Sequence, residues 1–157
     1  MPRPVPGSKL TGPLAKPKVR GSGWAYQPGT LELGQEEWIR VDSPQWFAWL
    51  QQAQPFRMVQ AYYLASQTSL EPYYLSYTVR PERRQRGQVY WYAYKKYHNR
   101  RLNGTYLGPA QAVALVHLDQ LAWQFLAQIE PAFYAQAQQV GLVDWRKVPQ
   151  PRSPGLK

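Results

Sequence analysis

The sequence predicts an α+β fold: a three- to four-stranded antiparallel sheet with a helix packed across one face, plus basic flexible termini. Two runs of alternating apolar and polar residues, 74–80 and 88–97, flank a basic turn that ends at Gly87. A third run, 101–107, follows a turn-forming His-Asn pair and returns antiparallel. Apolar residues spaced by three and four then indicate a helix over 112–130, whose stripe covers one face of the sheet.

The run 88–97 has the strongest strand pattern in the chain, and its alternation separates two faces. Trp91 lies on the side that the helix covers, whereas Tyr92, Tyr94 and Lys96 lie on the other side. A two-residue turn at His98-Asn99 pairs Tyr92 with Thr105, Tyr94 with Asn103 and Lys96 with Arg101. A three-residue turn shifts every one of these pairs, and the sequence leaves both registers open.

Further elements are predicted on both sides of this region. A short strand over 38–41 is followed by a helix over 44–53, for which Ser43 suits the N-cap and Pro44 the first helical position. A short strand over 56–60 precedes a long, mostly uncharged connection over 61–72. After Pro131 a second short helix extends over 132–140 and ends at Gly141.

The distribution of Pro, Gly and basic residues predicts three parts. Residues 1–23 contain almost nothing to bury and are expected to form a disordered basic arm. Residues 24–143 are expected to form one domain, and 144–157 a flexible basic tail.

The composition argues against catalysis. The chain of 157 residues has no cysteine and only two histidines, so it offers no disulfide, no thiolate metal site and no cysteine nucleophile. Its nine acidic residues are scattered without a pair suited to acid–base chemistry. We therefore expect no enzyme activity and no cofactor or metal. No run is long and apolar enough to span a membrane and no signal peptide begins the chain, so we expect a cytoplasmic protein without a membrane partner.

The charge points instead to nucleic acid. A net charge of +10 implies an anionic partner, and eight of the nineteen Lys and Arg residues fall between positions 80 and 101. The exposed side of the predicted hairpin and the turn before it form a basic, aromatic surface suited to a DNA major groove. The candidate nucleic-acid-binding residues are Arg80, Arg83, Arg84, Arg86, Tyr92, Tyr94, Lys95, Lys96, Arg100, Arg101, Asn103 and Thr105.

Three alternatives stay open at this point. Tyrosines on the sheet suit the stacking of unpaired bases, which indicates an RNA-binding subunit of a ribonucleoprotein. A helix that carries Trp46, Phe47 and Trp49 suits an adaptor that docks another protein within a larger complex. An ordinary solvated sheet also exposes Tyr and Lys and needs no ligand.

Three sequence motifs resemble a small bacterial module. They are SPQWFAWL (43–50), RPERRQRGQVYWYAYKK (80–96) and YLG (106–108), followed by a leucine-rich helix. The module occurs ahead of LuxR-type and ATPase-bearing regulators and in stand-alone proteins. Its order of sheet and helix is similar to that of AP2-like domains and of the arm-type DNA-binding domains of tyrosine-family integrases. The resemblance covers residues 43–129.

The resemblance implies a three-stranded sheet that binds double-stranded DNA through the face opposite its helix. By position, the residues that match the module are Arg80, Arg83, Arg84, Arg86, Tyr92, Tyr94, Lys95 and Lys96. The chain departs from the module in the return strand, where Asn103, Gly104 and Thr105 stand at usually basic positions. By analogy with the integrases, the resemblance also implies an accessory or regulatory role, in a setting such as a mobile genetic element.

Overall fold

The computed structural model describes residues 16–24, 26–34, 36–62, 72–101 and 104–139. These residues form a seven-stranded mixed sheet with three α-helices on one of its faces. The strands of the sheet are β1 (Lys18–Arg20), β2 (Thr30–Gly34), β3 (Glu37–Arg40), β4 (Phe56–Tyr62), β5 (Tyr73–Arg83), β6 (Val89–Tyr94) and β9 (Thr105–Gly108). Across the sheet they follow the order β9-β6-β5-β4-β1-β2-β3. A separate two-stranded hairpin joins β7 (Lys96–Tyr97) to β8 (Arg100–Arg101).

The prediction of a three- to four-stranded antiparallel sheet is wrong, although the α+β class agrees with the structure. Strands β1, β2 and β3 extend the sheet to seven strands, and β1 runs parallel to β4. The sequence signal fails at β1 because this strand has only three residues, of which Val19 alone is fully buried. A single apolar residue between lysine and arginine shows no periodicity.

The segment that follows β1 is tied to the centre of the domain. The Ser22 hydroxyl donates a hydrogen bond to the Asp119 carboxylate (2.6 Å), and the Gly23 amide donates one to Gln60 Oε1 (2.8 Å). A Cβ at Gly23 would overlap the carbonyl oxygen of Ala61, so only glycine fits this close approach. Residues 16–23 therefore belong to the fold and not to the predicted arm. The remainder of that arm, 1–15, and the predicted tail, 144–157, lie outside the described residues.

Helix α1 (Pro44–Leu50) begins as predicted, because the Ser43 hydroxyl accepts a hydrogen bond from the Trp46 amide (3.1 Å). It ends three residues before the predicted end at residue 53. The Trp46 ring is fully buried against Phe56, and its Nε1 donates to the Val113 carbonyl (2.8 Å). The helix thus packs on the sheet through its tryptophans.

Helices α2 (Leu115–Ile129) and α3 (Pro131–Gln139) correspond to the two helices predicted after the sheet. Helix α2 packs across β4 and β5, where Tyr77 contacts Phe125 (ring centroids 5.2 Å apart) and donates a hydrogen bond to the Leu118 carbonyl (2.6 Å). All three helices therefore cover the same face, and the hydrophobic core lies between them and the sheet.

The return strand shows a one-residue shift in register. Lys96 pairs with Arg101 across the His98-Asn99 turn, as the two-residue turn predicts. Farther along, Thr105 pairs with Ala93 and Tyr106 with Tyr92, so the predicted pair of Tyr92 with Thr105 is wrong. The return strand gains one residue between Arg101 and Thr105, which reverses the faces of Thr105 and Tyr106, and the register shifts again between Tyr106 and Gly108.

Candidate nucleic-acid interface

The sheet face opposite the helices, which we call the open face, is covered by no helix of the described residues. Strand alternation places polar and aromatic side chains on this face and apolar side chains on the other. Direct cross-strand pairs link Lys18 to Arg57, Arg57 to Thr78, and Thr78 to Tyr94. The side chains of four neighbouring strands therefore meet in one row across the open face.

A cavity of about 460 Å³, the basic cleft, opens along this row. Three residues that carry hydroxyl groups, Ser76, Thr78 and Tyr94, contribute to its lining. Five basic residues line it as well: Lys16, Arg57, Arg80, Lys95 and Lys96. The Arg57 amide donates a hydrogen bond to the Pro17 carbonyl (2.8 Å), which places Lys16 beside the cleft. Lys95 lies at the break between β6 and β7.

The cleft concentrates positive charge without compensation from its own lining. None of the described residues that line it is acidic, and the one ion pair within the described ranges, Arg20 to Glu32 (3.3 Å), lies elsewhere. Burial lowers the pKa of Lys95, and the neighbouring Arg57 guanidinium lowers it further. Both effects disfavour the charged form of Lys95, so an anion placed next to this half-buried ammonium group would stabilise it.

Beside the cleft lies the tyrosine row, which consists of Tyr90, Tyr92, Tyr94 and Tyr106. Tyr92 stacks against Tyr94 (ring centroids 6.5 Å apart) and meets Tyr106 edge-on (5.3 Å). Tyr90 also contacts Tyr106 (6.1 Å). The Tyr94 hydroxyl donates a hydrogen bond to the Glu82 carboxylate, which fixes the position of this ring. The row is therefore an ordered aromatic surface.

Two arginines are held over this row. The Arg80 guanidinium lies 4.8 Å from the centroid of the Tyr94 ring, and the Arg84 guanidinium lies 5.3 Å from that of Tyr92. Such cation–π contacts restrict the guanidinium groups while leaving their N–H donors available to a ligand.

Arg84 begins the turn between β5 and β6, which we call the arginine turn. The exposed side chains of Arg83, Arg84 and Arg86 surround it. Arg83 Nη1 donates a hydrogen bond to the Gly87 carbonyl (3.3 Å), and the alternation along β5 directs this side chain away from the open face. Arg86 has a φ of 70°, in the left-handed region, which tightens the turn.

The structure thus brings together Arg80, Arg84, Tyr92, Tyr94, Lys95 and Lys96 from the residues that the sequence predicts. Thr105 does not belong to this group, because its pairing with Ala93 places it on the helix-covered face. Arg100 and Arg101 form β8, but their side chains lie outside the described residues, as does the whole of Asn103.

Sequence reasoning missed Lys16, Arg57, Ser76 and Thr78 as residues of the cleft. A signal was present for Arg57, since it alternates with the apolar Phe56 and Met58 and therefore points away from the core. No sequence signal places Lys16 there, because its position depends on the pairing of β1 with β4.

At the far side of the open face, Arg20 is enclosed by aromatic rings. Its guanidinium lies 4.6 Å from the Trp24 ring centroid and 5.2 Å from that of Trp38. Its ion pair with Glu32 neutralises the charge. This cluster therefore differs from the basic cleft, whose cations have no carboxylate partner among the described residues.

The predicted docking helix does not present its tryptophans. Trp46 is fully buried and Trp49 is 5 % exposed, while Phe47 is half-buried. A partner could not reach the two indole rings without opening the core.

In comparisons with protein-family models, curated proteins and solved structures, nothing matched this chain. The resemblance to AP2-like and integrase arm-type domains accordingly stays a prediction. Over the described ranges, no helix combines the length and apolar character needed to cross a membrane.

Proposed function

We propose that this chain is a non-catalytic, double-stranded DNA-binding protein that uses the open face in an accessory or regulatory role. The observation that carries the proposal is the convergence of Lys16, Arg57, Arg80, Lys95 and Lys96 on a face that no described helix covers. Cations that have no ion-pair partner among the described residues, placed beside ordered aromatic rings, favour a polyanion as ligand.

The positions of the guanidinium groups favour a duplex over an unpaired strand. Single-stranded nucleic acid binds by stacking its bases on free aromatic faces. Here Arg80 covers one face of Tyr94, Arg84 covers one face of Tyr92, and these two rings stack on each other. The rings therefore serve to hold arginines that donate hydrogen bonds to phosphate groups of the duplex.

The spacing of the positive charges also suits a duplex. The arginine turn and Lys96 lie at opposite ends of β6, separated by about 27 Å of extended chain. One turn of duplex DNA rises about 34 Å. Cations at both ends can thus reach phosphates along nearly one helical turn while the tyrosine row faces the groove between them.

Two further parts of the proposal concern setting. We propose a cytoplasmic location, where the proposed DNA ligand would be accessible, and a mobile genetic element as the source, by analogy with the integrase arm-type domains. Neither is needed for the interface itself.

The experiment that tests the proposal compares Arg80→Gln with Arg40→Gln in duplex binding at two salt concentrations. Arg80 lines the basic cleft, whereas Arg40 lies on β3 at the far edge of the open face, four strand spacings or about 19 Å from β5. We expect Arg80→Gln to weaken binding about tenfold and to reduce the salt slope by about one. Arg40→Gln should change the affinity by less than about twofold, because the distance exceeds the screening length.

Both variants lose one positive charge, so a nonspecific effect of net charge would weaken them equally. Equal losses would contradict the proposed interface. Tighter binding of structured RNA than of duplex DNA by the unaltered protein would also contradict the proposal and indicate a ribonucleoprotein subunit.

A further inference from the structure

The basic cleft differs in shape from the rest of the open face. The tyrosine row and the arginine turn form an open surface, whereas the cleft is a cavity of about 460 Å³. Its lining comes from β4, β5, the end of β6, Lys95 and the start of β7, together with Lys16 before β1. Donors from separate strands therefore converge on one ligand group.

The number and type of donors exceed what a backbone phosphate needs. A phosphodiester carries one negative charge and is flanked by nucleotides on both sides. A terminal phosphate monoester carries about 1.5 to 2 negative charges near neutral pH and presents three acceptor oxygens. Two planar guanidinium groups, three ammonium groups and neighbouring hydroxyl groups suit the monoester better.

The position of Lys95 supports this reading. The ammonium group is half-buried next to the Arg57 guanidinium, and both effects disfavour its charged form in the free protein. The Arg57 side chain is oriented within the cleft by a contact between its Nη1 and the Ser76 hydroxyl (3.5 Å). A dianion placed between the two cations would remove their mutual repulsion.

We propose that the basic cleft receives the terminal phosphate of a nucleic-acid strand, so that the protein binds DNA ends in preference to internal sequence. This inference rests on the proposed function, since the remaining contacts of the open face would hold the adjoining duplex. Arg57, Arg80 and Lys95 donate to the terminal phosphate, and Arg84 contacts a backbone phosphate farther along.

The test uses matched duplexes that differ only in their ends: hydroxyl at every end, phosphate at the 5′ ends, or phosphate at the 3′ ends. We expect one of the phosphorylated duplexes to bind the full chain about tenfold more tightly than the hydroxyl duplex. Lys95→Gln should abolish this preference. Arg84→Gln is the matched control, and it should weaken all three duplexes by the same factor while the preference is kept.

Each outcome has a separate meaning. Equal, measurable binding of the three duplexes would overturn the inference and leave the proposed function standing. Binding of none of them would overturn the proposed function itself.

Thymidine 5′-monophosphate serves as a competitor in a second experiment. Competition as strong as that of the phosphorylated duplex would show a site for free nucleotides, which also overturns the inference. Thermal unfolding of each variant verifies that its fold is intact.

Discussion

Replacing Val19 with Asp is expected to unfold the protein or to reduce its free energy of unfolding by at least about 4 kcal/mol. Val19 is fully buried in β1, which lies between β2 and β4 inside the sheet. An unpaired carboxylate at this position would lose its hydration and gain no partner. Urea denaturation, followed by tryptophan fluorescence and circular dichroism, measures the change.

The matched control is the neighbouring Lys18→Gln, because Lys18 is exposed on the same strand. We expect this substitution to change the free energy of unfolding by no more than about 0.5 kcal/mol. If Val19→Asp proved as mild as Lys18→Gln, β1 would not lie in the sheet, and the placement of Lys16 at the basic cleft would fail with it.

Asp119 is expected to make the protein less stable as the pH rises. Burial raises the pKa of Asp119 to about 6, and hydrogen bonds from Ser22 and Gln60 oppose that rise only in part. Between pH 3.8 and about 6, Asp119 in the folded state therefore keeps a proton that the unfolded chain has already released. The stabilisation is complete below the ordinary pKa of an aspartate, 3.8, and is lost as the pH rises through about 6. A pKa shift of this size corresponds to a contribution of about 3 kcal/mol to the free energy of unfolding.

The substitution Asp119→Asn isolates this effect. The amide can accept a hydrogen bond from Gln60 and donate one to Ser22, but it carries no charge to bury. We expect the variant to equal the unaltered protein near pH 4 and to exceed it in free energy of unfolding at neutral pH. Asp119→Ala should be less stable than Asp119→Asn at every pH, because Ser22 and Gln60 lose their acceptor.

Urea titrations at a series of pH values measure the difference between these proteins. A difference between the unaltered protein and Asp119→Asn that does not change from pH 4 to neutral pH would contradict the buried, protonated carboxyl group.

Local patterns in the sequence predicted the elements that have several residues of regular alternation or helical spacing. Ser43 at the N-cap, the alternation along β6 and the apolar stripe of α2 were all readable from neighbouring positions. Site residues whose position depends on a single strand, such as Tyr92 and Tyr94, were predicted in the same way.

The features that the sequence did not reveal depend on pairing between distant segments. Strand β1 is stabilised by two neighbouring strands and not by its own composition. The reversal of Thr105 arises from one additional residue in the return strand, and hydrophobic pattern alone does not locate that residue. Arg57 and Lys16 join the site only because β4 and β1 lie next to β5 in the sheet.

The central claim, that the open face binds duplex DNA, is tested most directly by NMR of the full chain during titration with a duplex. We expect the Nε–Hε signals of Arg57, Arg80 and Arg84 and the ring signals of Tyr92 to shift. The ring signals of Tyr134, which packs against Trp123 on the helix-covered side, should stay unchanged. Shifts at Tyr134 without shifts at the arginines would place the ligand on the opposite side and contradict the claim.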